Sequence, residues 1–281
     1  MSGPQLSVLM PAYNEAGTIG EVLEALKALD YELEIIVVDD CSSDETAAIV
    51  TALAESDERI TLRSHERNRG KGAAVRTALA LCSGQVVIIQ DADAEYDPRD
   101  IPRLVDLIFA GTADVVYGSR LRGGQPQRAH LFWHYAGNRF LSLLAGMLFN
   151  TTLSDMEVGY KAIRGDIARS LRLVSEDFRI EPELTARIRG IPDLRIYEVP
   201  IAYYGRTFAE GKKITWRDGL LAVWALLYFR VVTWRERPDR TTDRTAELET
   251  GPRKSSVSQF EADGGELSRR RAARVARRRS H

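Results

Sequence analysis

Two aspartates one residue apart, Asp91 and Asp93, directly follow the apolar run Val86-Val87-Ile88-Ile89-Gln90. Short β-branched runs of this kind form the buried strands of α/β sheets. Ligands of such sheets bind beyond the carboxyl ends of the strands. Two carboxylates placed there make a hard, anionic, oxygen-only site. Its chemistry suits Mg²⁺ or Mn²⁺ carrying substrate phosphates.

Three other loops carry polar groups that would converge on the same edge. Pro11-Ala12-Tyr13-Asn14-Glu15 follows an apolar strand over residues 6–10. The proline is expected to stop ladder pairing, Tyr13 offers a ring face, and Asn14 and Glu15 offer hydrogen bonds to a base edge. Asp39-Asp40-Cys41-Ser42-Ser43-Asp44 ends a second strand. A carboxylate there can accept from the ring N–H of uracil or guanine, beside the open amides of a helix N-terminus. Asn68-Arg69-Gly70-Lys71-Gly72 precedes a third helix. Its glycines permit close backbone approach, and Lys71 with the helix dipole favours an anion. The spacing is not that of a Walker A loop. Each loop alone also reads as an ordinary turn or cap. Their joint placement after successive strands is what points to a nucleotide cleft.

The elements that must hold these loops are legible. Strands are expected over 6–10, 34–38, 60–63, 86–90 and 114–117. Helices are expected from Thr18 to about 29, from Ser42 to about 54, over 70–82, and from Asp97-Pro98 to about 110. Thr18 with Glu21 and Ser42 with Glu45 have capping-box spacing. Strand–helix alternation predicts an α/β fold with a largely parallel, doubly wound sheet and helices on both faces. Beyond Arg120 the pattern changes. A Gly/Pro/Gln loop leads to a long helix over 130–149, a strand within 156–163, a short helix opened by Glu181-Pro182, a strand over 195–201, and an apolar helix over 216–234.

The ordered set of motifs resembles family 2 glycosyltransferases of the GT-A fold, and within them the polyprenyl-phosphate (dolichyl-phosphate) mannosyl- and glucosyltransferases. The matching text is Met10 to Glu15, Val37 to Ser42, Asn68 to Gly72, Gln90-Asp91-Ala92-Asp93, Tyr117-Gly118-Ser119-Arg120, Asp155 to Arg164 and Tyr204 to Lys213. The resemblance covers roughly residues 5–235. It implies that Pro11, Tyr13, Glu15 and Asp39 hold the base and ribose of a nucleotide-sugar. Asp91 and Asp93 become a metal-binding DxD, and Glu95, where close relatives often have Gln, a further metal ligand. Arg120, Arg206 and Lys212 would surround the donor diphosphate and acceptor phosphate, and Asp155 would face the transferred sugar. The QxxRW pentad of processive synthases is absent, which argues against polymer synthesis.

The implied reaction moves mannose or glucose from a GDP- or UDP-sugar to polyprenyl phosphate, with inversion. A phosphate monoester has a second pKa of about 6, so it attacks without an obligatory base. It needs cations, for which Arg120, Arg206, Lys212, Arg128 and Arg139 are candidates. A hydroxyl acceptor would need a general base, with Asp155 the candidate. A soluble hydroxyl or glycan acceptor is therefore the alternative within the family. A membrane-bound scaffold with a degenerate nucleotide site is the alternative outside it.

Composition bounds the rest. The chain has 281 residues, 44% hydrophobic and 28% charged, with formal net charge −1, so the molecule as a whole is no electrostatic binder of nucleic acid. Seven arginines and no acid occur in the last thirteen residues. That run reads as a solvated tail, a contact for an anionic leaflet, or an attractor of RNA. Only Cys41 and Cys82 are present, with no disulfide or metal spacing, which fits a reducing compartment. The start of the chain lacks a basic and a long apolar region, and is not expected to be a signal peptide. The best apolar run, 219–229, is too short to span a bilayer, although the helices over 130–149 and 216–234 could lie in a headgroup boundary. The expectation is a transferase domain over 1–235, with a nucleotide-sugar half (1–120) and an acceptor half (121–235), and a disordered tail over 236–281. It would act in the cytoplasm, peripherally associated with the membrane. The oligomeric state is left open.

Overall fold

The structure, a computed structural model, describes residues 3–126, 128, 132–206 and 216–235. The expected role of Lys212 and the tail over 236–281 lie outside the described residues.

Seven strands form one sheet. The elements in chain order are β1 (Leu6–Ala12), α1 (Ile19–Lys27), β2 (Leu33–Asp39), α2 (Thr46–Ser56), β3 (Ile60–Ser64), α3 (Lys71–Leu79), β4 (Val86–Ile89), a 3-10 turn (Pro98–Asp100), α4 (Ile101–Phe109), β5 (Val115–Ser119), α5 (Phe132–Phe149), β6 (Lys161–Arg164), α6 (Gly165–Ser170), α7 (Ile180–Gly190), β7 (Ile196–Pro200) and α8 (Trp216–Arg235). The sheet order is β3-β2-β1-β4-β6-β5-β7. All β1 residues are buried, as a central strand covered on both faces requires.

β1, β2, β3 and β4 run parallel, with Leu6 opposite both Leu33 and Val86. β6 is antiparallel to both of its neighbours, β4 and β5. That inversion matters for function. Lys161, the first residue of β6, sits opposite Tyr117, and Ala162 lies opposite Ile88. The segment entering β6, residues 155–160, therefore crosses the sheet edge where the parallel strands end.

Some local expectations are corrected. Pro11 does not end pairing: β1 continues through it, with Pro11 opposite Val38. On the β4 side the ladder already stops at Leu9, so the missing N–H leaves no partner unmet. Neither capping box forms. Helix α1 has no side-chain cap; Thr18 Oγ1 donates instead to the Ala92 carbonyl at 2.8 Å. Ser42 Oγ accepts from the Asn14 amide at 2.9 Å, and α2 starts later, at Thr46. Both hydroxyls join loops across the strand ends rather than closing their own helices. The Asp97 cap is present, accepting from the Arg99 amide.

The sheet and helices α1 to α4 share the main core. A second cluster joins α5, α7 and α8 through Leu141, Ala145, Phe149, Met156, Ala186, Ala225, Leu226 and Phe229. The other faces of α5 and α8 are apolar but exposed, with Phe132, Trp133, Leu143, Met147, Leu220 and Trp224 all more than half accessible. Among the described residues no helix is long and apolar enough to cross a membrane.

Candidate active site

Each of the loops after β1, β2 and β4 turns through a left-handed non-glycine residue: Asn14 (φ 54°), Cys41 (φ 64°) and Ala94 (φ 57°). Such residues are uncommon and concentrate where surrounding contacts over-determine the backbone. Here the contacts are mutual. Asn14 Oδ1 accepts from the Ser43 amide at 2.8 Å, and Thr46 Oγ1 accepts from the Glu15 amide at 2.9 Å. The first two loops are thus one unit, and Thr18 ties it to the third.

Asp39 is buried and accepts from the Ser42 amide at 3.3 Å. Tyr13, which follows Ala12, the residue opposite Asp39 in the β1–β2 register, is exposed. Asp40, which the sequence reading left without a role, organises the Asn68–Gly72 loop. Its carboxylate takes the amides of Arg69 (2.9 Å) and Gly70 (2.6 Å), and His65 Nδ1 lies 2.6 Å away. Gly70 has φ 94°, and a Cβ there would stand 2.5 Å from the Glu176 carbonyl, so only glycine fits.

That loop aims Lys71 at the aspartates. Lys71 Nζ lies 2.8 Å from Asp91 and 3.0 Å from Glu181. Burial opposes its charge, yet Asp91 and Glu181 hold its pKa well above the ordinary lysine value. Glu181 is in turn paired with the fully buried Lys161. Lys71, expected as an anion ligand, is here the counter-ion of the first DxD aspartate.

Asp93 meets Arg206, Nη2 to Oδ2 at 3.0 Å. Arg206 also reaches Glu15 at 2.9 and 3.2 Å. Burial, with repulsion from Asp91 and Glu95, pushes Asp93 up to about 7 against the pull of Arg206. Glu95, expected as a further metal ligand, lies close enough to Asp93 to raise its pKa. It accepts from Tyr203 Oη at 2.7 Å and from the Arg206 amide at 2.6 Å. Its observed work is to anchor the 203–206 strap over the cleft. Among the described residues no three His, Cys, Asp or Glu side chains converge as a ready metal cage.

Asp91 and Asp93 nevertheless fit a divalent cation. The donors are hard oxygens, and Mg²⁺-type sites use one or two carboxylates and complete the shell with water and substrate phosphate. Gly159 packs directly against the Asp91 carboxylate, where a Cβ would lie 2.5 Å from Oδ2, so a side chain there would displace it. Arg206 Nε, 3.7 Å from Glu95, is buried with no hydrogen-bond partner among the described residues, so its present pairing does not use the whole guanidinium.

Arg120 and Asp155 form a closed pair. The Arg120 amide, Nε and Nη2 donate to the two Asp155 oxygens at 2.9, 2.7 and 2.7 Å. Asp155 is fully buried. Burial opposes its charge, but Arg120 holds its pKa below the usual carboxylate value. Expected to face the sugar, Asp155 lies instead beneath Arg120 as its positioning partner. The Arg120 guanidinium stands 5.1 Å over the Tyr203 ring. Tyr96 packs on Tyr160 and Tyr203 at 4.8 and 5.3 Å, and this aromatic floor was not foreseen. One continuous chain of contacts therefore links Asp93, Arg206, Glu95, Tyr203, Arg120 and Asp155. Arg128 joins it, donating from Nη1 to the Gly205 carbonyl at 3.0 Å, whereas Arg139 is exposed on α5.

Residues 7–168 match the family model described as glycosyl transferase family 2. The chain belongs to that family. Family 2 relatives include the low-salt glycan biosynthesis hexosyltransferase Agl6 of Haloferax volcanii, 30% identical over 72% of this chain and 48% of Agl6, so the chain spans about half of that protein's length. The undecaprenyl-phosphate mannosyltransferase of Micrococcus luteus is 30% identical over 73% of this chain and 85% of its own. Among solved structures, glucosyl-3-phosphoglycerate synthase from Mycobacterium tuberculosis, in complex with Mn²⁺, uridine diphosphate and glucosyl-3-phosphoglycerate, superposes with a TM-score of 0.63 at 22% identity, over 85% of this chain and 82% of that one. That likeness speaks to the fold, and the family 2 domain has the GT-A architecture.

Proposed function

We propose that the protein is a metal-dependent inverting glycosyltransferase that moves mannose or glucose from a GDP- or UDP-sugar to polyprenyl phosphate at the cytoplasmic membrane face. One observation carries the reading: Asp93 of the DxD and the cations Arg206 and Arg120 belong to one linked cluster at the carboxyl ends of the strands, with Asp91 beside it held by Lys71. A nucleotide-sugar laid along β1 and β2 would have its base near Tyr13 and Asp39 and its diphosphate at Asp91 and Asp93. The relative from M. luteus, named for undecaprenyl phosphate, supports the acceptor class.

Asp91 and Asp93 would hold Mg²⁺ or Mn²⁺, which supplies Lewis-acid stabilisation of the charge that grows on the departing diphosphate. The protein's own groups do the rest. Arg206 exchanges its carboxylate partners for diphosphate oxygens as donor enters. Arg120, held by Asp155, presents positive charge to the acceptor phosphate. The acceptor oxyanion attacks the anomeric carbon opposite the leaving group, forming the new C–O bond as the C–O bond to the diphosphate breaks. No proton has to be removed. The structure favours this over a hydroxyl acceptor at one point: Asp155, the base that acceptor would call on, has both oxygens committed to Arg120.

The exposed faces of α5 and α8 support a membrane contact. Trp133 is 80% accessible, and Tyr135, Trp224 and Tyr228 sit among exposed Leu, Phe and Met. Aromatic and apolar side chains of this kind rest at the headgroup boundary.

The test is a panel of radiolabelled GDP- and UDP-sugars offered with polyprenyl phosphate and Mn²⁺ or Mg²⁺. One donor should deliver label to the lipid fraction only when metal is present. Label that never enters lipid with any donor would overturn the acceptor assignment.

A further inference from the structure

The segment from Asp155 to Lys161 carries one carboxylate that the arrangement above leaves unused. Glu157 is part-buried, its Oε1 is closed off from solvent, and nothing among the described residues donates to it. Buried polar atoms are almost always hydrogen-bonded, and an unpaired carboxylate is among the costliest groups to bury. A group kept in that state needs a reason.

Its place in the fold supplies one. Two residues before it, Asp155 holds Arg120. Two residues after it, Gly159 lies hard against Asp91. Four residues on, Lys161 pairs with Glu181, which holds Lys71. Glu157 thus stands on the floor between the acceptor-side arginine and the DxD. In the proposed reaction the transferred hexose must occupy that interval. The charged groups around Glu157 are Glu181, Lys161, Arg120 and Asp155. Among the described residues both cations of that set already have carboxylate partners, Lys161 in Glu181 and Arg120 in Asp155, which makes a neutral donor the partner that suits the site.

We propose that Glu157 recognises the transferred sugar, its carboxylate accepting a hydrogen bond from a hexose ring hydroxyl. The inference rests on the reading of this cleft as a nucleotide-sugar site. Glu157 is then a specificity residue, because epimers that turn that hydroxyl away leave the carboxylate unpaired. Sites built to hydrogen-bond a hydroxyl discriminate strongly against ligands that lack it. Burial, with repulsion from Glu181, already pushes its pKa up to about 7, and a hydroxyl donor would relieve that unfavourable burial.

The experiment compares wild type, Glu157→Gln and Glu157→Ala by calorimetry in Mn²⁺, with UDP, GDP, UDP-glucose and GDP-mannose as probes. For the donor that wild type uses, Glu157→Ala should bind the nucleotide-sugar at least about tenfold more weakly, since hydrogen bonds to charged groups are worth that much or more, and Glu157→Gln, which keeps a neutral acceptor oxygen, should lose less. The matching nucleoside diphosphate should bind within about twofold of wild type. A donor lacking the contacted hydroxyl should bind both variants and wild type alike. Equal loss for nucleotide and nucleotide-sugar, or no loss for either, would overturn the proposal. So would a fall in kcat with donor affinity unchanged, which would make Glu157 a general base. A wild-type protein that binds none of the four probes would instead sink the proposed function itself. Glu157→Gln keeps the side chain's shape, and its melting temperature shows whether the fold is intact.

Discussion

Asp93 lies close to Asp91 and Glu95 and has Arg206 as its counter-charge. Asp93→Ala should therefore cost turnover rather than stability: kcat/KM is expected to fall by about two to three orders of magnitude, as when a main electrostatic group at a leaving group is removed. Steady-state kinetics and a melting curve on the same sample check this. An unfolded variant, or one with near-normal kcat/KM, would contradict it. Glu157 makes a pH prediction. Its folded pKa of about 7 lies above the ordinary 4.5. Between those values the unfolded chain has released a proton that the folded chain retains. This group's contribution to stability therefore falls as pH rises through that window and levels off above it. In EDTA, the melting temperature of Glu157→Gln should drop less from pH 5 to pH 7 than that of wild type. Parallel curves would contradict the assignment. The identity of these acids could be read from the chain, but their partners could not. Arg120 meets Asp155 across 35 residues, and Arg206 meets Asp93 across 113. Spacing along a sequence carries no signal for pairs that distant.

At the scale of elements, the α/β alternation over the first 118 residues was legible because short, largely apolar runs such as Leu6–Ala12, Leu33–Asp39 and Val86–Ile89 alternate with longer segments opened by polar and glycine-bearing loops. What escaped was the reversal of β6. Four residues, Lys161–Arg164, are too few to show a direction, and only their insertion between β4 and β5 reveals it. That reversal delivers Asp155, Glu157 and Gly159 to the strand ends. It also brings Lys161 to Glu181, which was read only as a helix start and is the partner of Lys71. Gly159→Ala tests the delivery. An added Cβ would meet Asp91 Oδ2 at 2.5 Å and Tyr96 at 3.0 Å, displacing the aspartate. Metal-dependent transfer should be lost while circular dichroism stays native. Gly72→Ala should act on the other side of Asp91. Its Cβ would come within 2.6 Å of the Ser175 carbonyl and 2.9 Å of that of Asp177, contacts with backbone that cannot swing aside. The start of α3 must shift, so both melting temperature and Mn²⁺ affinity should fall. Unchanged Mn²⁺ binding in a folded Gly72→Ala protein would remove Lys71 from the account.

The whole molecule has a polar edge where the parallel strands end and an apolar flank on α5 and α8. The sequence showed both helices as apolar, but it could not show which of their faces pack on α7 and which stay open. The second core cluster settles that. If the flank rests on lipid, Trp133→Ser with Met147→Ser should reduce co-sedimentation with vesicles of anionic phospholipid several-fold, leaving transfer to detergent-dispersed polyprenyl phosphate intact. Equal sedimentation of both proteins would dismiss the flank as a membrane contact. The central claim is that an acceptor already carrying negative charge attacks a sugar whose diphosphate is held at the DxD. The most direct measurement offers the protein its radiolabelled donor and Mn²⁺ with two acceptors that differ only in that charge, polyprenyl phosphate and the corresponding polyprenol. Label should pass to the phosphate and not to the alcohol. Equal or preferred labelling of the alcohol would contradict the account.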